Sequence, residues 1–406
     1  MSKHILRRIE IKPNNKMKQY IDDCMWYSMY QYNLMLTEKE RRFANHMSSY
    51  ETSLFNVYSD LSKQKELWEY KYPNFLRNSA RLRLAKAYDF YFQKKKRKPK
   101  LKETPQSFTI PKDKFIKGGM FKFTDKTMWF IFQCGSYCPV DKNKRFIKMT
   151  EMINPEWFKR LKEVTITKDV DRYFATFCIE IDDRIYPGKK DNIIGIDLGL
   201  KTFAVCSDGM DYDYNTEELN RLTKKADFYK SQMSRRYKKG RAKQSNNYEK
   251  AKKKYALINR KIRNIREDFL NKLSHKIAYN YDVVVIERLD IKELASKHRR
   301  MSHKFSRKMF NSCFGTFCSK VSAMCGTMNT ICELIKPSIL AATQTCSNCN
   351  NRLKHENKLT LKDRMYVCPK CGMKLDRDIN AAYNLYNYGK SLLSKNITKK
   401  TKRTKK

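Results

Sequence analysis

Three carboxylates sit in apolar frames far apart in the chain: Asp197 in IIGIDLGL, Glu287 in VVVIERLD and Asp378 in LDRDINAAYNL. A carboxylate at the end of an apolar strand is costly to bury unless it is paired or binds a cation. The first two frames are short apolar runs of the kind that form fully buried strands. The third reads as a helix entry, with INAAYNL following Asp378, where the helix dipole favours an anion. A fold that uses these residues as one site must therefore join two buried strands and a helix start, and the natural occupant of such a site is a divalent metal.

Each residue also has an ordinary reading. Asp197 is placed to serve as a strand-end turn residue, Glu287 to pair with Arg288 or Lys292, and Asp378 to act as an N-cap. Asp376 competes with Asp378 within DRD; Asp378 is preferred because Asn380, Ala381 and Ala382 put it at the helix entry. Arg377 either contacts phosphate or balances the two acids.

The chain has 406 residues with 87 Lys and Arg against 42 Asp and Glu, a formal net charge of +45. That excess repels itself and calls for a polyanionic partner whose counterions are released on binding. Nucleic acid is the expected partner, ahead of an anionic membrane. Phosphodiester cleavage by divalent metal uses carboxylates that bridge and flank the cations, and Mg²⁺ or Mn²⁺ prefers their oxygens. With 41% hydrophobic residues the chain can bury proper cores, and its length implies more than one domain. No stretch approaches a membrane span, and the N-terminus lacks a secretory signal, so a soluble intracellular protein is expected.

Thirteen cysteines include nine with no framework spacing. The other four, Cys346-x2-Cys349 and, after eighteen intervening residues, Cys368-x2-Cys371, have zinc-ribbon spacing. Four thiolates close the coordination sphere of a Zn²⁺ ion, so this metal is expected to be structural. The ribbon stands just before Asp376 and Asp378 and is placed to organise that segment, or to grip nucleic acid through RLKHENKLTLKDR.

Along the chain, residues 4–12 read as a short strand and 15–90 as helices rich in aromatics, closed by the basic run KKKRKPK at 94–100. Alternation over 105–182 indicates antiparallel strands, with KDVDR as a turn. Strands before and after a helical block imply one β-barrel interrupted by an insertion. DLGLKTFAVCSDG reads as a hairpin partner to IIGID, 214–278 as basic helices, 296–312 as a mobile loop and 313–329 as a helix. In the basic helices Ile258, Ile262, Ile265, Phe269 and Leu273 form a core-facing stripe.

Together GIDLGLKTFAVCSDG, NIREDFLNKLSHKIA, VVVIERLDI, ATQTCSNC…CPKCG and LDRDINAAYNL resemble the TnpB family, transposon-encoded RNA-guided nucleases related to the type V CRISPR effectors. The resemblance covers most of 192–386. It implies an α+β and α/β multidomain chain: a wedge-like β-barrel at 1–14 and 101–185, a helical recognition domain at 15–100, and a RuvC-like, RNase H-type nuclease domain at 190–340 and 374–388. A zinc ribbon is expected at 341–373 and a disordered basic tail at 389–406. It further implies Asp197, Glu287 and Asp378 as catalytic Mg²⁺ ligands, Cys346, Cys349, Cys368 and Cys371 as zinc ligands, and a guide RNA with a double-stranded DNA target. Base pairing would then supply sequence specificity. Asn350 stands where the family usually has Gly, and the segment after Ser306 matches poorly. Other readings are a CRISPR-associated or eukaryotic or viral homologue, a nuclease-silent regulator, and a transposase acting without RNA. A cytoplasmic location is expected, or a nuclear one in a eukaryotic or viral host.

Overall fold

The computed structural model describes residues 3–112, 121–124, 127–131, 135–154, 156–181, 192–214, 216–241, 243–288, 311–354, 358–360 and 363–403. It divides into two compact units, Met1–Asp182 and Asp183–Lys406.

In the first unit β1 (Lys3–Lys12) stops before Pro13, and Asn14 caps α1 (Asn15–Ala44) by accepting the Met17 N–H at 3.0 Å. Two more helices follow, α2 (Leu54–Lys63) and α3 (Asn74–Phe92). The strands are β2 (Ser107–Pro111), β3 (Phe121–Thr124), β4 (Thr127–Ile131), β5 (Phe146–Met149), β6 (Leu161–Asp169) and β7 (Arg172–Ile181). They form one antiparallel sheet in the order β2-β6-β7-β1-β5-β4-β3. The strand preceding the helices therefore lies between strands that follow them.

Alternate residues of β7, Tyr173, Ala175, Phe177 and Ile179, are buried in a core shared with Met17, Tyr20 and Ile21 of α1 and Leu76 of α3. Among the described residues the strands do not close into the barrel expected from the strand pattern. The described sheet is open, with β2 and β3 as its two edges. Helices α1 and α3 cover the apolar face, so it is buried without the sheet closing on itself. Beneath them runs a buried polar network. Tyr27 Oη and Gln31 Nε2 donate to Glu69 at 2.8 and 2.6 Å, and Arg77 Nε donates to Gln31 Oε1 at 2.9 Å.

The second unit is built on a five-stranded sheet in the order β10-β9-β8-β11-β12. Its strands are β8 (Ile193–Leu198), β9 (Ala204–Cys206), β10 (Asp211–Tyr212), β11 (Val283–Glu287) and β12 (Ile331–Ile335). The first three form antiparallel pairs, whereas β11 runs parallel to both β8 and β12. Between β10 and β11 stand the long helices α4 (Thr216–Arg236) and α5 (Asn246–Asn280), and α6 (Phe314–Thr327) precedes β12. A small hairpin, β13 (Met365–Val367) with β14 (Lys374–Asp376), leads into α7 (Arg377–Arg403).

Helices cover the sheet on both faces. Ile194, Ile196, Val284 and Ile286 pack against α5 and α6, whereas Val283 and Val285 pack against Ala381 and Leu385 of α7. This explains why β8 and β11 read as unbroken apolar runs. The stripe predicted on α5 faces the cores, with Ile262 and Leu273 buried and Ile258, Ile265 and Phe269 partly buried. The basic tail expected to be disordered from 389 is instead helical as far as Arg403. Gly389 lies where an added Cβ would be 2.6 Å from Ile193 Cγ2, and Leu392 and Leu393 pack on the same core, so the sheet holds the helix past the glycine. Most of the loop expected at 296–312 lies outside the described residues. Among the described residues no helix is long and apolar enough to cross a membrane.

Candidate active site and zinc ribbon

The parallel register pairs Ile286 with Ile196. Those two side chains face α5 and α6, so strand alternation turns the next residues, Asp197 and Glu287, to the opposite face. That face carries α7, with Asp378 in its first turn. Two neighbouring strand ends and one helix start thus bring the three predicted carboxylates to one end of the sheet.

Asp197 and Glu287 are 7% and 6% exposed, and the Asp378 side chain is 19% exposed. Burial pushes Asp197 well above the usual carboxylate range, and the charges of Glu287 and Asp378 push it the same way. The Arg377 guanidinium and the Leu198 N–H act in the opposite sense. Burial raises Glu287 to about 7. Among the described residues Glu287 has no ion pair, so the ordinary pairing with Arg288 is not made; Lys292 lies outside them.

Asp376 and Asp378 divide the work at the helix start. Asp376 Oδ1 accepts the Asp378 N–H at 2.8 Å and the Ile379 N–H at 3.3 Å, which makes Asp376 the cap. The Asp378 carboxylate is held by Arg377 Nε and by Arg364 Nη1, each at 3.3 Å. With Asp378 so engaged, the three carboxylates do not close on a single point. Among the described residues the group tight enough to hold one ion is the cysteine quartet. The donor set nonetheless suits a hard cation: oxygen ligands only, two of them buried, with like charges that disfavour ionisation until a positive charge joins them.

The four thiols Cys346, Cys349, Cys368 and Cys371 lie within 4.8 Å of one another. The Cys346–Cys371 and Cys349–Cys368 sulfur separations are 3.6 and 3.5 Å. A tetrahedron with Zn–S bonds of about 2.3 Å has sulfur–sulfur edges of about 3.8 Å, so the residues fit zinc. Burial opposes ionisation of Cys368, but backbone N–H groups of Cys371 and Lys370 outweigh it and lower the thiol.

Three roles escaped the sequence reading, which used Asn380 only to mark the helix entry. Asn380, Asn384 and Asn387 lie at i, i+4 and i+7 on α7. Asn380 Nδ2 donates to Thr345 O at 2.7 Å, and its Oδ1 accepts from Ser347 N at 2.9 Å. Asn384 Nδ2 reaches Ala342 O at 2.8 Å, and Asn387 Nδ2 reaches Ser347 O at 3.0 Å. These amides fasten the first cysteine knuckle to the helix that carries Asp378. The available signal was a repeat of a poor helix former along one helical face. Arg364, fourteen residues before Asp378, gave no such signal. Nor did Asp211 on β10, whose carboxyl is raised first by burial and then by the charges of Asp376 and Asp378.

Residues 176–298 match a family profile described as "Probable transposase" (OrfB_IS605), and residues 314–385 match the Cas12f1-like TNB domain. A TnpB-like protein of Acanthamoeba polyphaga mimivirus is 27% identical over 275 residues, covering 64% of this chain and 48% of that protein. A Streptomyces pristinaespiralis protein named "Putative RNA-guided DNA endonuclease" is 28% identical over 255 residues, covering 60% of this chain and 58% of its own length. The chain thus spans about half the length of the curated relatives it matches. Among solved structures, a Cas12f1–sgRNA–target DNA complex matches with TM-score 0.57 at 16% identity, over 92% of this chain and 83% of the other. The two profile matches span the segments that hold the carboxylates and the cysteines, and the fold is a mixed α/β one like that of Cas12f.

Proposed function

We propose that this TnpB-like chain is an RNA-guided DNA endonuclease with a single metal-dependent site formed by Asp197, Glu287 and Asp378. The observation that carries the reading is the convergence of two nearly buried, unneutralised carboxylates with a third at the start of α7. A protein keeps such a charge cluster against its own repulsion where a cation and a polyanion are to meet. The sheet order β10-β9-β8-β11-β12, with an antiparallel hairpin beside two parallel strands, supports the RuvC-like, RNase H-type fold that the resemblance implies.

In this reading Asp197, fixed by the sheet, and Glu287 beside it hold the hard cations, and Asp378 completes the set on release from its two arginines. Divalent metal bound there would supply an activated water and neutralise charge on the leaving oxygen. Arg377 and Arg364, freed in turn, are placed to take a phosphate oxygen. The cysteine quartet holds structural zinc, and the amides of α7 pass its rigidity to Asp378. The excess of 45 positive charges serves the backbones of a guide RNA and its DNA target.

The test is to express the chain with its flanking DNA, sequence the RNA that copurifies, and assay matched double-stranded DNA with Mg²⁺. Discrete RNA and cutting abolished by Asp197→Ala support the reading. Matched DNA left whole by the wild type, or an Asp197→Ala variant with full activity, would overturn it.

A further inference from the structure

A cavity of about 510 Å³ opens in the second unit where strand β8 ends. Gly199, Leu200 and Lys201, just beyond Asp197, form one side of it. Its back wall is aromatic. Buried Phe203 meets the Tyr214 ring edge-on at 4.9 Å, and the Tyr214 hydroxyl donates to the Ser312 carbonyl at 3.0 Å, so that ring is anchored. Facing it, the first turns of α4 present Thr216, Asn220 and Thr223, which share a helical face at i, i+4 and i+7.

Two cations, Lys201 and Arg266, complete the lining against one acid, Asp213. Arg266 Nη1 donates to Asn311 Oδ1 at 3.5 Å, and among the described residues neither cation has a carboxylate within ion-pair distance. Aromatic wall, amide and hydroxyl face, and uncompensated cations form an amphipathic lining. An apolar ligand would waste the cations, and a bare anion would waste the rings. One chemical class uses all three: a heteroaromatic base on a phosphorylated sugar.

We propose that this cavity receives one nucleotide of single-stranded DNA next to the scissile phosphodiester. Its base lies against Tyr214 and is contacted by Asn220, and its phosphate is held by Arg266 and Lys201. The assignment rests on the nuclease reading for the position of the scissile bond, but its contacts are testable without cleavage. It makes Arg266 and Lys201 positioning residues, acting on where the strand lies and not on the metal ligands.

The probe is a single-stranded oligodeoxynucleotide carrying one 5-iodouracil, irradiated with the full-length protein in Ca²⁺ and mapped by mass spectrometry. The expected adduct is on Tyr214. The double variant Lys201→Ala, Arg266→Ala should lower its yield on the order of ten-fold, as should Asn220→Leu, with partial recovery in Arg266→Lys. In guided cleavage the same variants should lose rate by a similar factor while target affinity stays within about two-fold. Adducts confined to other segments, or variants that cut at the wild-type rate, would overturn the proposal while leaving the nuclease reading intact. Labelling at Tyr214 by a wild type that cuts no DNA would retain the nucleotide cavity and overturn the nuclease reading instead.

Discussion

The Asp376 carboxylate accepts the backbone N–H of Asp378 at 2.8 Å, so the two acids of DRD have separate tasks. One closes the helix start and the other is left for the site. Replacing Asp376 with Ala should cost about 1 kcal/mol of stability, and with Asn much less, because Asn caps nearly as well. Asp378→Asn should leave the melting temperature near that of the wild type and abolish DNA cleavage. Thermal denaturation alongside a cleavage assay separates the two. An Asp376→Asn protein as inactive as Asp378→Asn would refute the division.

The buried acids make stability depend on pH in a defined sense. Burial raises Glu287 from an ordinary 4.5 to about 7, and burial also holds Asp197 well above the usual carboxylate range. An acid whose folded pKa is raised binds its proton more tightly when native, so its penalty is absent below the unfolded pKa. For Glu287 the penalty grows as pH rises through the window from 4.5 to about 7 and is complete above it. It amounts to roughly 3 kcal/mol at full ionisation. Metal-free protein should therefore lose stability across that window, and Glu287→Gln should flatten the loss. Added Mg²⁺ should raise the melting temperature more at about pH 8 than at about pH 5. Melting curves with and without Mg²⁺ decide this; a Glu287→Gln profile identical to the wild type would exclude it.

The ribbon and the carboxylate site are joined through α7, so removing zinc should act at a distance. Cys368→Ser, or chelation, should release about one zinc per chain and lower cleavage steeply with all three carboxylates intact. Asn384 tests the link itself, since its amide bonds Ala342 O and Thr345 O, at 2.8 and 2.7 Å. Asn384→Ala orphans the buried Ala342 carbonyl and leaves Thr345 O to the Asn380 amide alone, and should cost on the order of 2 kcal/mol. Zinc content by atomic absorption should persist in this variant while cleavage falls. Full activity without zinc would break the argument.

The parts of this arrangement that were readable in the sequence are those written in local pattern. β8 and β11 are apolar runs because both faces are covered, and the cysteine quartet is legible from its spacing. Pairing between distant edges is not local. Nothing in the strands at 107–111 and 121–124 says that they stay apart, so an open sheet passed for a barrel. Gly389 resembled the start of a disordered tail because its lysine-rich sequel hides its role, which is to let α7 lie against Ile193. The contact of Arg364 with Asp378 depends on the fold of the ribbon between them, which spacing alone does not encode.

Close approach also governs how Asp197 meets Asp378. At Gly195, two residues before Asp197 on β8, an added Cβ would lie 2.2 Å from Ala382 O and 2.5 Å from Tyr386 N. Both are backbone atoms of α7, which cannot step aside as a side chain can. Gly195→Ala must push the helix off the strand, or tilt it, and with it the turn bearing Asp378. Overpacking of this kind typically costs about 1–3 kcal/mol, while a displacement of about 1 Å at a reacting centre can cost about a hundred-fold in rate. The expected signature is thus a modest fall in melting temperature with a disproportionate loss of DNA cleavage. Gly326→Ala supplies the control: it lies near the end of α6, where an added Cβ meets nothing within 4 Å, and should leave cleavage unchanged with a melting temperature equal to or slightly above the wild type's. If Gly195→Ala cut DNA at the wild-type rate, the strand–helix contact would not be what sets the distance between the two carboxylates.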